Sequence, residues 1–243
     1  MRPHRPRPEL ERGESTVTIS IAPERPGTLR YRPPAAAPES AEEAVGMRGA
    51  RASRRVVTRG HVVQGACGFF LRHGTVDMDA LAQDLAVSRA TLYRVVGSRD
   101  ALLADVLWEL AEHLLDRARR RRTRAGVDGV LEITRYFVTV LRGSVPFGGF
   151  LRAEPETARR LLTGGCVHRR AVLAQRGILL EAGERDRLWP RSGIDDLAYL
   201  YVRVVESTLY AELLSSRRPD LALAERTARA VLQQTRRASP GAI

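Results

Sequence analysis

The chain has 243 residues, of which 44% are apolar and 5% aromatic, with a formal net charge of +12. That is enough for one or two domains with a packed core, and a composition rich in Ala, Leu, Val and Arg favours helix over sheet. No run of about 18 apolar residues and no apolar leader core occurs, so no membrane partner is expected and the expected compartment is the cytoplasm.

All 40 basic residues are arginine. The balance is +2 over residues 1–53, +5 over 54–124 and +5 over 125–243. The middle segment is therefore the most basic for its length, which suits a polyanion partner and suits solubility equally.

Residues 1–50 hold 8 of the 13 prolines, scattered charge and few large apolar groups. Such a segment cannot bury enough surface to offset its ordering entropy, so it reads as a disordered extension. Thr16–Ala22 alternates like a strand but has no partner strand. Met47 opens a stretch that would serve as a translation start, which makes residues 1–46 either an over-long start or a basic arm.

A first helix is expected from about Ser53 to His73, on the spacing of Val56, Val63, Ala66, Phe70 and Leu71, with Gly74 as its stop. Arg54 and Arg55 at its start read as phosphate clamps or as solvated charge; arginine there opposes the helix dipole. Asp77 then caps a short helix with Leu81, Ala82 and Leu85 on its apolar side. After a turn of about four residues, Ser88 caps a second helix, Arg89 to Val95, closed by Gly97. Two short helices so joined, the second showing Ser, Arg, Thr and Tyr, form the helix-turn-helix pattern, whose second helix enters the DNA major groove. Arginine binds guanine bidentately, and Ser, Thr and Tyr hydroxyls reach phosphates, so Ser88, Arg89, Thr91, Tyr93 and Arg94 are the candidate DNA contacts.

A fourth helix is expected from Arg99 to Arg122, with a stripe of Leu103, Val106, Leu107, Leu110, Leu114 and Leu115. Its terminal arginine run lies about 30 Å from the recognition helix at 1.5 Å per residue, so it reads as a solvated link. Beyond it, Val130–Leu141 is apolar almost all round and is expected to be central and buried. Short helices follow near Phe147–Arg152 and Pro155–Leu162, then one from Gly164–Gly165 to about Glu184, a long one over Ile194–Ser216, and a last one to about Arg237.

The segment MDALAQDLAVSRATLYRVVGSRDALL resembles the DNA-binding segment of TetR-family transcriptional regulators, through Ser-x-x-Thr-Leu-Tyr, Gly-Ser-Arg and the long helix after them. The resemblance spans about Ser53 to Leu115. It implies DNA contact by Thr91 and Tyr93, adds Arg99 as a backbone contact, and implies a homodimer paired through the last two long helices. Two positions depart from the family pattern. Ala86 stands where the turn mostly has Gly, a change that costs little if its φ stays negative. Val95–Val96 replaces an aromatic that usually closes the recognition helix. In addition, GFLRAEPETARRLLT and ESTLYAELLSSRRPDL resemble the quorum-signal-degradation regulator subgroup, which implies a lactone-type effector by analogy.

The expected architecture is all-α: a disordered extension over 1–50, a helix-turn-helix domain over 51–98, and an effector-binding and dimerisation domain over 99–237. The expected function is a ligand-responsive regulator of a double-stranded operator, with a repressor as the first reading. Trp108, Phe137, Phe147, Phe150, His168, Tyr201, Glu206 and Tyr210 are the candidate ligand contacts; for each aromatic, plain core packing is the competing reading. Glu206, on an apolar helix, needs a partner if buried, either an Arg or Tyr of the protein or a ligand. Of the five histidines, those at 61, 73, 113 and 168 read as surface or capping residues.

No GxSxG, P-loop, GxGxxG or metal-ligand spacing occurs, and the two cysteines, Cys67 and Cys166, give no disulfide framework. The chain is therefore read as no enzyme, with no catalytic residue, metal or cofactor. The alternatives are a constitutive DNA-binding protein without effector and a lactone-processing enzyme.

Overall fold

A computed structural model describes residues 57–184, 188–189, 191–211 and 220–237, the last four of these through the backbone alone. Among the described residues the chain forms ten helices: α1 (Arg59–His73), α2 (Met78–Asp84), α3 (Arg89–Val96), α4 (Arg99–Arg121), α5 (Gly126–Arg142), α6 (Val145–Ala153), α7 (Pro155–Leu162), α8 (Cys166–Gly183), α9 (Ile194–Leu209) and α10 (Leu221–Arg237). The fold is all-α, as the composition implied. The expected disorder of residues 1–50, together with Arg54 and Arg55, lies outside the described residues.

The first four helices start where the sequence places a side-chain acceptor. Thr58, Asp77, Ser88 and Ser98 each accept from backbone N–H groups in the first turn of α1, α2, α3 and α4. These bonds satisfy donors that have no intrahelical partner. The Thr58 cap also corrects the first helix, which begins at Arg59 and not near Ser53: Thr58 is extended, at φ −89° and ψ 157°, and its hydroxyl accepts from His61 N. Gly74 and Gly97, at φ +71° and +84°, stop α1 and α3 in conformations that side chains rarely adopt.

Two cores hold the molecule. The first joins α1, α2, α3 and the first half of α4 through Val62, Ala66, Phe70, Leu81, Leu92, Leu102, Leu103 and Val106. It continues into α6 and α7 through Phe150, Ala158 and Leu162. The Phe70 and Phe150 rings meet edge-on, 5.9 Å between centroids. The second core packs α5, α8, α9 and α10 through Val130, Ile133, Ile178, Leu179, Leu197, Tyr201 and Leu232. Trp189 ties the loop before α9 to α10 by donating its indole N–H to Leu232 O at 2.9 Å.

Three other expectations change. The helix α5 is buried only in its first half; Phe137, Val138 and Leu141 are half-buried. The arginine run ending α4 is not a purely solvated link. Arg122 pairs with Glu181 of α8 at 3.0 Å, Arg119 donates to Ala174 O at 3.4 Å, and Arg121 lies over the Tyr136 ring. The helix α9 ends at Leu209 instead of running to Ser216, and Tyr210 leaves helical geometry at φ −111° and ψ 18°. Just before the bend, the Ser207 and Thr208 hydroxyls both donate back to Val204 O, at 2.7 and 3.3 Å. Such back-bonding competes with the helix ladder and bends it.

Candidate nucleic-acid interface and ligand cavity

The turn between α2 and α3 is a Schellman motif. Val87 N donates to Ala82 O at 2.9 Å and Ala86 N to Gln83 O at 3.0 Å. Ala86 occupies the left-handed position of that motif, at φ +52°. The expectation of a negative φ is therefore overturned: alanine sits where the motif favours glycine, and its Cβ carries the strain.

On α3, Leu92 and Val96 are buried against α1 and α4, while Arg89 and Arg94 are exposed. Ser88 and Thr91 are bonded to each other, hydroxyl to hydroxyl at 2.8 Å, and Ser88 also caps α3. Arg89 pairs with Asp79 of α2 at 3.1 Å and lies over the Tyr93 ring, 5.6 Å from its centroid. Five of the expected contacts, Ser88, Arg89, Thr91, Tyr93 and Arg94, thus fall on or next to one short helix. Phosphate or base contact by Arg89 would replace its pair with Asp79.

Arg99 stands apart from that group. Its Nε donates to Val76 O at 2.7 Å, and its Nη2 donates to Thr75 Oγ1 at 3.0 Å and to Glu154 Oε1 at 2.6 Å. Thr75 donates to the same carboxylate oxygen at 2.5 Å. Burial would raise the Glu154 pKa, but the Arg99 and Thr75 hydrogen bonds outweigh it and hold the carboxyl below its ordinary range. Glu154 ends α6 and begins α7, so the cluster ties the start of α4, just after the recognition helix, to α6.

Arg59 is a second tie that the sequence reading missed. It donates to Val95 O and Val96 O at 3.3 and 3.2 Å, and its Nη2 pairs with Asp105 of α4 at 2.7 Å. It sits at the negative end of α3, which relieves its unfavourable place at the start of α1. Arg170 of α8 reaches the other oxygen of Asp105 at 3.0 Å.

A cavity of about 110 Å³ lies between α4, α5, α8 and α9, with α6 at one side. Six of the eight expected contacts line it: Trp108, Phe137, Phe147, His168, Glu206 and Tyr210. The other two do not. Phe150 is fully buried against Phe70 in the first core, and Tyr201 is fully buried with its hydroxyl 2.8 Å from Thr134 Oγ1. Both obey the competing reading of plain core packing.

His168 is buried, not a surface residue, and its Nδ1 is 2.8 Å from Glu206 Oε1. Arg203 Nη1 donates to the other Glu206 oxygen at 2.9 Å. The partner that Glu206 required is thus a histidine and an arginine of the protein itself. Burial, aided by the Glu206 charge, pushes the Tyr210 phenol up, so it stays protonated in the cavity wall. Cys67 is inert: burial first, then the Glu109 charge, push its thiol up to about 12. Among the described residues no group of three or more His, Cys, Asp or Glu stands ready for a metal.

Three capped helices on the first half of a long α4, followed by a helical bundle with a cavity, are the architecture of a helix-turn-helix head on a helical C-terminal domain. Residues 125–233 match the family described as tetracyclin repressor-like, C-terminal domain. The chain resembles the structure of the R. erythropolis transcriptional repressor QsdR from the TetR family. Identity is 26% with a TM-score of 0.66, over 72% of this chain and 93% of that one. A TetR-family transcriptional regulator from Streptomyces coelicolor matches at 19% identity and a TM-score of 0.46, over 75% and 82%. A third match is the TetR-family regulator PfmR from Thermus thermophilus, at 19% identity and a TM-score of 0.35, over 74% and 99%. No curated protein matches the chain. The match over residues 125–233 gives the C-terminal half a tetracyclin repressor-like domain, and the likeness to QsdR over 72% of the chain supports a DNA-binding transcriptional regulator of the TetR type. Among the described residues no helix is long and apolar enough to cross a membrane.

Proposed function

We propose that this protein is a homodimeric repressor released from its operator by a small molecule held in the cavity. The observation that carries the reading is the position of α6. Its Phe147 lines the cavity, and its last turn leads directly to Glu154, which holds Arg99 at the root of α4. A ligand that displaces Phe147 would shift Glu154, and with it the angle at which α4 carries the helix-turn-helix. A differential affinity of about 1–3 kcal/mol between the two arrangements is sufficient for such coupling.

In this reading residues 51–98 act as the DNA-binding unit and 99–237 as the effector and dimer unit. Ser88, Arg89, Thr91, Tyr93 and Arg94 face DNA, while Arg99 serves as a tie rather than a phosphate contact. Dimerisation through α9 and α10 is supported by Leu200, Leu221 and Leu223, which are large, apolar and exposed in the single chain. Two recognition helices would then meet half-sites about 34–36 Å apart. A lactone-type effector is the candidate that the subgroup resemblance supplies, and the similar structure named a repressor favours that sign of regulation.

The test is selection of bound duplexes from a random pool with the full chain, followed by titration of the selected operator with candidate lactones. A palindromic site released by one of them is expected. A site with no two-fold symmetry would sink the dimer reading, and an operator affinity indifferent to every ligand that binds the cavity would leave a constitutive DNA-binding protein.

A further inference from the structure

The polar groups on the cavity wall are satisfied unequally. At one end the charges are closed upon themselves, since Glu206 takes His168 at one oxygen and Arg203 at the other, at 2.8 and 2.9 Å. The Thr134 hydroxyl is spent on Val130 O and Tyr201, and Ser144 caps α6. Gln175 is different. It lines the same cavity, is only 7% exposed, and its Nε2 has no hydrogen-bond partner among the described residues. A buried amide left unpaired is destabilising and rare, and it calls for an explanation. His168, Ala171 and Gln175 fall at i, i+3 and i+7 on α8 and all three line the cavity, which sets Gln175 about 10 Å along the wall from the closed His168–Glu206 pair.

We infer that Gln175 is the recognition residue for an uncharged effector: a small, largely apolar molecule whose carbonyl oxygen accepts from Gln175 Nε2 while its body lies against Trp108, Phe137 and Phe147. The inference rests on the effector-responsive reading above and names the ligand's chemical class. The absence of charge follows from the wall. Its His168 and Glu206 are already paired, and no free counter-charge remains among the lining residues, so a carboxylate or an ammonium would be buried alone. The size follows from the void. At about 110 Å³ it is somewhat smaller than an apolar cavity of about 150 Å³ that takes one benzene, so a ligand of more than about six non-hydrogen atoms enters only by moving a wall residue such as Phe147.

The experiment uses three probes with one alkyl body, hexanamide, hexanoate and hexylammonium, on the full chain at neutral pH. Binding is read by ligand-observed NMR and by Trp108 fluorescence in a Trp189→Phe background. Hexanamide is expected to bind about tenfold or more tightly than either ion, a difference of the size one hydrogen bond to a buried group gives. Gln175→Leu, with Gln175→Met as the second variant should the first misfold, is expected to weaken hexanamide about tenfold, while melting is unchanged or raised because an unpaired buried amide has gone. Hexanoate or hexylammonium binding as tightly as hexanamide, no binding of hexanamide, or hexanamide binding unchanged in both Gln175 variants overturns the inference. Operator affinity is measured in parallel. Gln175-dependent hexanamide binding with no effect on the operator would sink the regulatory reading and uphold this one; an operator response to another molecule that survives Gln175→Leu overturns this one alone.

Discussion

The helix-turn-helix head and the C-terminal bundle are made of the same material, amphipathic helices rich in Leu, Ala and Arg, yet they spend their polar groups differently. In the head every helix start is capped by a side chain, α3 is seated on the fully buried Leu92, and its carbonyl end is held by Arg59. The cavity in the other domain keeps a buried amide nitrogen, Gln175 Nε2, without a partner among the described residues, and α9 ends just after Ser207 and Thr208 bond back to one carbonyl. A rigid reader needs satisfied groups, because it must present one geometry to DNA. On the effector-responsive reading proposed above, the other domain needs space and an unmet hydrogen bond, because a ligand can shift an equilibrium only by binding one arrangement better than the other.

The contrast breaks hardest at Leu92. Leu92→Ala empties a fully buried position under the recognition helix and should cost about 2–5 kcal/mol. Urea unfolding should show a destabilised head and operator binding should fall with it. A loss under about 1 kcal/mol would mean that the head core is softer than its packing implies.

Next in size is the tie between the two regions. In a double-mutant cycle, Arg99→Ala and Glu154→Ala should couple by about 1–2 kcal/mol at neutral pH. Glu154 has its pKa lowered in the fold, so its contribution is full above the ordinary glutamate value of 4.5 and is lost as pH falls through the lower folded value. The coupling should therefore persist at pH 7 and fade only below pH 4.5. A coupling that instead weakens as pH rises would contradict the hydrogen-bond assignment.

At the DNA face, Arg89→Ala and Tyr93→Phe should each weaken operator binding by up to about 1–3 kcal/mol while melting shifts little, because Arg89 is exposed and its pair with Asp79 lies at the surface. Operator titrations and melting curves on the same samples separate the two effects. The smallest effect is a gain. Ala86→Gly should relieve the left-handed alanine and stabilise the head by about 0.5–1 kcal/mol, read as a raised Tm with operator affinity unchanged.

The helix-turn-helix was legible because its signals are local. Asp77, Ser88, Ser98 and Gly97 mark helix ends through bonds to residues two to four places away, and these can be read from spacing alone. Six of eight cavity residues were legible for a weaker reason: an apolar helix that carries an acid or large aromatics has to face something. The same rule could not tell Phe150 and Tyr201, which fill cores, from Phe137 and Tyr210, which face the void, since the sequence pattern places all four on apolar helices. Gln175 gave no signal, because a glutamine on a helix reads as surface until its neighbours are known.

The sequence by itself determined the all-α class, the caps of the head, the exposed polar side of α3 and the demand that Glu206 find a partner. Only the tertiary structure decided that the partner is His168 with Arg203, that Arg99 serves Glu154, that Ala86 lies at φ +52° and that α9 ends at Leu209. The reason is the range of the interactions. Caps and periodicity act within a turn or two of helix, whereas His168–Glu206 and Arg99–Glu154 join residues 38 and 55 places apart in the chain, and a backbone dihedral in a turn is set by the two helices it must connect.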